Sequence, residues 1–528
     1  MTEKQKEHLG LVVYQIYPRS FKDSNDDGIG DLNGITEKLD YIKELGANAI
    51  WLSPCYKSPN EDNGYDISDY CDIMDEFGTL DDWKRMISEM HKRGIKLIMD
   101  FVANHTSSQH KWFKESRKSK DNPYRDYYVW ADEPLTDWES VFGGSAWEYD
   151  KTTNQYYLHS FAIGQPDLNW ENPKVQQEMI DVIDFWVGLG VDGFRCDVLD
   201  YISKDFENNI RSNGPRFHEY VNMLFGREEV AHIFTVGECG INSGEDIKML
   251  IGGDRGELST VFQFDHIDVG RCGKFDPRPL DRDDIKNRLI KWQNIFQNYD
   301  IVGTLFFENH DQPRAVSRFG DEKYRYDSAT LIATMSYLQR GIPFIYQGQE
   351  IGSINPYFEN IEDFDDIETV NYYKMNPHNV DGEEMIKRIN FGSRDNSRRP
   401  MNWDWGENGG FGGGKTWISL HNKYKTINVA ADISSEKSVY KYFQKLLKLR
   451  LENEAFITGK YEDVTEDRKG IYVYKRYTDS ECYIVVCNFE NETKLELEAN
   501  SELVLSNYGE RKIAGCYMPY ECAVYKLK

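Results

Sequence analysis

Eight short runs rich in β-branched and aromatic residues recur along the first two thirds of the chain: Val12 to Tyr17, Ala47 to Leu52, Ile95 to Val102, Val191 to Cys196, His232 to Gly237, Leu258 to Phe264, Gly303 to Phe307 and Ile342 to Tyr346. Most are separated by segments of helical period. In Leu80 to Arg93 and Val175 to Leu189 the apolar residues step by three and four, and each segment precedes a strand. This alternation specifies parallel βα units, because parallel neighbours need a crossover and a helix supplies it. Eight such units fit a closed (β/α)8 TIM barrel, an α/β fold.

The spacing breaks twice. From 104 to 169 lies a stretch rich in Tyr, Trp, Ser and charge, too long for a βα loop and expected to form a small inserted domain. After the eighth run an extension of about 347–417, rich in Asn, Asp, Gly and Arg, is expected over the same barrel face. Helical period returns from Lys437 to Leu451, and alternating runs such as Gly470 to Tyr477 and Cys482 to Phe489 then read as antiparallel strands. The expected division is a barrel over 1–103 and 170–455, the insert 104–169, and an all-β C-terminal domain over 456–528.

Composition removes several function classes. With 63 Lys and Arg against 89 Asp and Glu, a net charge of −26 repels polyanions, so no nucleic-acid partner is expected. No apolar run is long enough for a transmembrane helix, the first ten residues do not resemble a secretory signal, and no membrane partner is expected. Nine cysteines without close paired spacing read as reduced thiols of a cytoplasmic protein. Aromatics make up 14% of the chain, and those from Tyr124 to Trp170 are candidates for stacking on sugar rings.

Active sites of TIM barrels lie at the carboxyl ends of the strands. There the third run ends in Asp100 and leads to Asn104 and His105, the fourth ends in Arg195 and Asp197, the fifth in Glu238, and the seventh leads to Asn309, His310 and Asp311. Asp197 and Glu238 close consecutive strands, which predicts carboxyl groups roughly 5 Å apart, the separation of a retaining glycosidase. In that geometry one carboxylate attacks the anomeric carbon and the other protonates the leaving oxygen. Arg195, two residues before Asp197 on the same face, is expected to keep Asp197 ionised as nucleophile. Glu238 lacks a sequence-local cation and is expected to stay protonated as the acid/base.

The runs Asp100 to His105 (DFVANH), Gly193 to Val198 (GFRCDV), Val236 to Glu238 (VGE) and Glu308 to Asp311 (ENHD) resemble, in order, the four signature regions of the α-amylase family of glycoside hydrolases (glycoside hydrolase family 13). Gln165 to Asn169 (QPDLN) is similar to a fifth region of the oligo-1,6-glucosidase and α-glucosidase subgroup. The resemblance implies Asp197 as nucleophile, Glu238 as acid/base and Asp311 as transition-state stabiliser. It further implies substrate contacts from Tyr65, Asp66, His105, Arg195, His310 and Arg398, with Asp66 and Arg398 holding the hydroxyls of the non-reducing glucose. Val198, after the nucleophile, goes in related enzymes with α-1,6 bonds, so isomaltose, isomalto-oligosaccharides and panose are the expected substrates. Within the same mechanism the subgroup also includes α-1,4-specific, dextran-cleaving, sucrose- or trehalose-isomerising and trehalose-6-phosphate-hydrolysing enzymes.

After the first run, Asp23 to Asp31 (DSNDDGIGD) presents oxygens at alternating positions around a glycine, which reads either as an Asx-rich turn or as a cation loop. The resemblance implies a structural Ca²⁺ held by Asp23, Asn25, Asp27, the Ile29 carbonyl and Asp31, and no organic cofactor. Gly409 to Thr416 (GGFGGGKT) formally matches a phosphate loop. It follows no strand and opens no clear helix, so it reads as a glycine loop near the barrel mouth.

Overall fold

In a computed structural model of the protein, which describes residues 3–528 apart from 242, 253–256, 377–380, 490, 498–499 and 510–514, the eight runs form one parallel sheet. The strands are β1 (Val13–Ile16), β2 (Ala49–Leu52), β3 (Lys96–Val102), β4 (Gly193–Asp197), β5 (Phe234–Gly237), β6 (Thr260–Val261), β7 (Thr304–Leu305) and β8 (Ile342–Tyr346). Their spatial order is β6-β5-β4-β3-β2-β1-β8-β7, so every consecutive pair but β6 and β7 is joined by backbone hydrogen bonds, and β1 pairs with β8. Threonines bridge the seam between β6 and β7. Thr260 Oγ1 donates to the Val302 carbonyl at 2.7 Å, and Thr304 Oγ1 to the Val261 carbonyl at 3.2 Å.

The crossover helices form where the apolar periodicity places them. Helix α1 (Leu80–Lys92) opens on a capping box in which Thr79 Oγ1 accepts from Asp82 N and Asp82 Oδ2 accepts from Thr79 N. Helix α2 (Pro173–Gly188) starts on an Asn172 cap with proline in its first turn, two residues before the expected start. Trp83 of α1 and Trp186 of α2 are fully buried and meet edge-on at 4.9 Å. This contact locks the two helices side by side outside β3 and β4, the strands that carry Asp100, Arg195 and Asp197.

Between β3 and β4 the chain makes a short helix, Lys111–Ser116, and a three-stranded antiparallel sheet of Trp130–Ala131, Gln155–Leu158 and Trp147–Asp150. Its aromatics mostly pack on one another: Phe113 stacks on Trp130 at 5.6 Å and 4° and meets Tyr128 and Tyr157 edge-on. These rings are therefore core and not sugar platforms, since burying them against each other is what lets so short a segment hold together.

At the other end, α3 (Arg325–Tyr337) is buried along nearly its whole length and joins the barrel to a five-stranded antiparallel sheet of order Lys460–Asp463, Ile471–Tyr477, Cys482–Asn488, Cys522–Leu527, Ser501–Ser506. Arg450, on α4 (Val439–Glu452), donates to the Tyr337 and Gln339 carbonyls, and Arg476 of the sheet donates to Leu338. Both cations serve the carbonyl end of α3, where the helix leaves acceptors without partners. Among the described residues no helix is long and apolar enough to cross a membrane.

Gly193 opens β4 opposite Phe234, and a Cβ placed there would stand 2.4 Å from the Phe234 carbonyl oxygen. Gly193→Ala should therefore push β4 from β5, lower stability by about 1–3 kcal/mol in urea unfolding, and reduce activity by displacing Asp197 from Glu238.

Candidate active site

The strand register brings the acids together. Cys196 pairs with Gly237, so Asp197 and Glu238 leave adjacent strands side by side, and Asp100 pairs directly with Arg195. Arg195 is almost completely buried and is the hub: Nη1 donates to Asp100 Oδ1 at 2.9 Å and Asp197 Oδ1 at 2.6 Å, and Nη2 donates to Glu238 Oε2. The face of Trp51 lies 5.1 Å from its guanidinium carbon. The expectation that Glu238 stands away from any cation is corrected. Sequence places Arg195 near Asp197, but the inter-strand distance places it equally near Glu238. Burial, with Glu238 and Asp100 beside it, pushes the Asp197 carboxyl well above the usual range despite Arg195. Burial also pushes Asp100 up, to about 6, against the same cation.

His310 and Asp311 complete the floor. Gln15 Nε2 donates to His310 Nδ1 at 2.8 Å, which leaves the imidazole proton on Nε2, 3.0 Å from Asp311 Oδ2 and 2.7 Å from the Tyr65 hydroxyl. Tyr65 stacks on His310 at 5.3 Å and donates to Asp100 Oδ2 at 3.0 Å. Burial depresses His310 to about 4, and His105 likewise, so both rings are neutral near pH 7. Asp311 behaves oppositely. Burial would raise it, but His310, Arg398 and Arg394 together hold it well below the carboxylate range.

These groups face a cavity of about 220 Å³ whose walls include Asp62, Tyr65, His105, Asp197, Glu238, Asp311 and Arg394, with Val141, Phe142, Phe161, Val198, Lys274 and Glu368. Arg195 and His310 lie behind this wall. Two predicted substrate residues are corrected. Asp66 does not line the cavity: its carboxylate accepts from Ser58 Oγ and from the Glu61 and Asp62 amides, bracing the loop from within. Asp62, four residues earlier, takes the place expected of it. Arg398 is wholly buried, donating from Nε to the His310 carbonyl and from Nη2 to Asp311 Oδ1 at 2.8 Å. Arg394, one helical turn earlier, lines the wall and pairs with Asp62 at 3.0 Å, Asp366 at 2.6 Å and Asp311 at 3.5 Å. Gln165 Nε2 ties Asp62 to His105 with two contacts of 3.1 Å. The cue available in the sequence was the acid doublet Glu61-Asp62 before Gly64 and the doubled basic positions of 394–399.

Val198 also lines the cavity, at φ 33° and ψ 46°. A β-branched residue in the left-handed region is strained. Its amide is drawn 3.5 Å from Glu238 Oε2, and the next amide, Leu199 N, donates to the Glu238 carbonyl.

The acidic loop folds as a chain of Asx bonds: Asp23, Asn25 and Asp27 each accept from the amide two residues on. Asp23 and Asp31 are buried and make no ion pair among the described residues, a donor chemistry suited to a hard cation. The carboxylates nevertheless do not converge: no cluster of three or more His, Cys, Asp or Glu able to hold a metal occurs among the described residues. The glycine run opposite it has its own reason. Gly413 N donates to Asp26 Oδ1 at 2.6 Å, and a Cβ on Gly412 or Gly414 would strike Asp23 Oδ2 at 2.2 Å or the Asp26 carbonyl at 2.3 Å.

A family model described as the catalytic domain of alpha amylase matches residues 15–459. The oligo-1,6-glucosidase of Parageobacillus thermoglucosidasius is 49% identical, with 98% of both chains covered. Among solved structures, the trehalose-6-phosphate hydrolase of Bacillus licheniformis is 40% identical with a TM-score of 0.92 and 100% of both chains covered. The trehalulose synthase of Pseudomonas mesoacidophila MX-45 is 40% identical with a TM-score of 0.94 and 99% of both covered.

Arg394→Met would leave Asp62 and Asp366 buried without their cation. The expected cost is about 3–5 kcal/mol in denaturant unfolding, together with loss of activity; an unchanged unfolding midpoint would show that these acids need no partner.

Proposed function

The chain belongs to the α-amylase family of glycoside hydrolases, and from that premise we propose that it is an exo-acting oligo-1,6-glucosidase, releasing glucose with retained configuration from the non-reducing ends of isomaltose, panose and isomalto-oligosaccharides. The observation that carries this reading is the pairing of Asp197 and Glu238 on adjacent strand ends, facing a cavity whose wall also holds the Asp62–Arg394 ion pair.

In this reading Asp197 attacks the anomeric carbon while Glu238 passes its proton to the glycosidic oxygen, and the aglycone leaves. Glu238, now a base, takes a proton from water, which displaces Asp197 from the glucosyl ester; two inversions give net retention. Arg195 holds both carboxylates in register and limits their mutual repulsion. Asp311, kept anionic by His310, Arg398 and Arg394, supplies negative charge where the ring becomes oxocarbenium-like. Asp62 and Arg394 offer an acceptor and a donor to the terminal hydroxyls, which favours chain ends. Tyr65 and His105 supply further cavity-wall contacts, and Arg195 and His310 act from behind it. Val198 puts a methyl near the leaving sugar, supporting α-1,6 over α-1,4 bonds by a few kcal/mol at most.

The same reading, resting on the family resemblance, gives the acidic loop a structural Ca²⁺ at Asp23, Asn25, Asp27, the Ile29 carbonyl and Asp31; the ion would have to draw together carboxylates that here bond to their own loop, and would take no part in the chemistry. No disulfide joins the nine cysteines, which supports a cytoplasmic location.

Asp197→Asn and Glu238→Gln should each lower kcat about a thousandfold or more, and proton NMR of the wild-type reaction should detect α-glucose first. β-Glucose as first product would overturn the mechanism, and maltose split much faster than isomaltose would overturn the linkage. Because the folded Asp197 carboxyl is raised, it protonates before an ordinary carboxylate as pH falls; kcat/KM should drop on the acid side with a midpoint above about 4. Chelation should lower the melting temperature, with added Ca²⁺ restoring it.

A further inference from the structure

A second cavity, of about 320 Å³, adjoins the first and shares Val141, Phe142, Lys274 and Glu368 with it. Its outer wall includes Tyr372, stacked face to face on Phe275 at 4.3 Å and 23°. The shared residues stand where a sugar reaching from the inner cavity into the outer one would meet them. Among the described residues, Lys274 is the one cationic side chain lining the outer cavity. It is not available as a charge: its Nζ donates to Glu368 Oε2, and that carboxylate also stands 3.6 Å from Arg394 Nε. Both members of the pair keep only about a fifth of their side-chain surface exposed, 21% for Lys274 and 17% for Glu368, so water screens the contact weakly.

Resting on the glucosidase reading above, we propose that Glu368 is a specificity-determining residue: by engaging Lys274 it withholds the outer cavity's cation and restricts the leaving sugar to a neutral ring, packed against Phe142 and Tyr372. A sugar phosphorylated at O6 brings up to two negative charges and needs a free donor there. In this site it meets the Glu368 and Asp276 carboxylates and an already neutralised lysine. The protein fold alone does not decide the matter, because the solved trehalose-6-phosphate hydrolase shares it.

The test compares isomaltose with trehalose 6-phosphate as substrates of the wild type, Glu368→Gln and the double variant Glu368→Gln/Lys274→Met, and measures glucose and glucose 6-phosphate binding to each by calorimetry, so that an inactive variant is still informative. The wild type should favour isomaltose. Glu368→Gln should move the kcat/KM ratio toward the phosphorylated substrate by about tenfold and tighten glucose 6-phosphate relative to glucose. The double variant should lose both gains. A Glu368→Gln protein with both ratios unchanged overturns the proposal, as does a wild type that prefers the phosphorylated disaccharide. Failure of the wild type to split isomaltose at all would instead strike the glucosidase reading.

Discussion

Three carboxylates, Asp100, Asp197 and Glu238, converge on one buried guanidinium, and the carboxyl end of the barrel depends on that arrangement. A carboxylate removed from water loses several kcal/mol of solvation unless a cation and hydrogen bonds replace it. One cation does not neutralise three acids, and burial raises both Asp100 and Asp197 against the pull of Arg195. Such a cluster is a poor stabiliser, since each acid gives up solvation for a share of one cation. The surrounding shell works to hold Arg195 still: Trp51 lies against its face, and Trp51 Nε1 also donates to Asp100.

A second charge network sits above the first and ties together segments far apart in sequence. Arg394 joins Asp62 after β2, Asp311 after β7 and Asp366 in the segment following β8, and Arg398 doubles the contact with Asp311. The two networks meet at His310, whose stacked neighbour Tyr65 reaches down to Asp100. The chain after β8 is therefore part of the site, since without it Asp62 and Asp311 would be buried acids lacking cations.

The barrel was legible in the sequence because parallel strands covered on both faces must be apolar throughout, and only short runs of that kind alternate here with helical period. The clustering of Asp100, Asp197 and Glu238 was legible because these acids lie at or just beyond strand ends. Asp66 and Arg398 misled for a common reason. Within a turn or a short helix, residues three or four apart are equally eligible for a site, and orientation is set by which amides the loop must satisfy. Asp66 is consumed by the amides of its own loop, which frees Asp62; Arg398 is one turn deeper than Arg394 and meets backbone before it meets the cavity. The sharing of Arg195 between Asp197 and Glu238 was hidden because it is set by the spacing between strands, which proximity along one strand does not report.

The glycine run at 412–414 extends the same physics to the opposite wall. Read as letters it resembles a phosphate loop; in the fold its missing side chains let one backbone lie on another, with Gly28 so close that a Cβ there would stand 1.8 Å from the Lys415 carbonyl oxygen. This contact also orders the adjoining segment: Trp417 N donates to the Gly28 carbonyl, and Trp417 Nε1 donates to Ser20 Oγ, which in turn donates to the Arg398 carbonyl. The acidic loop is thereby connected through a relay of directed hydrogen bonds to the arginine that backs Asp311. The small residues here permit that close approach of two backbones, on which the relay to the 394–399 segment is built.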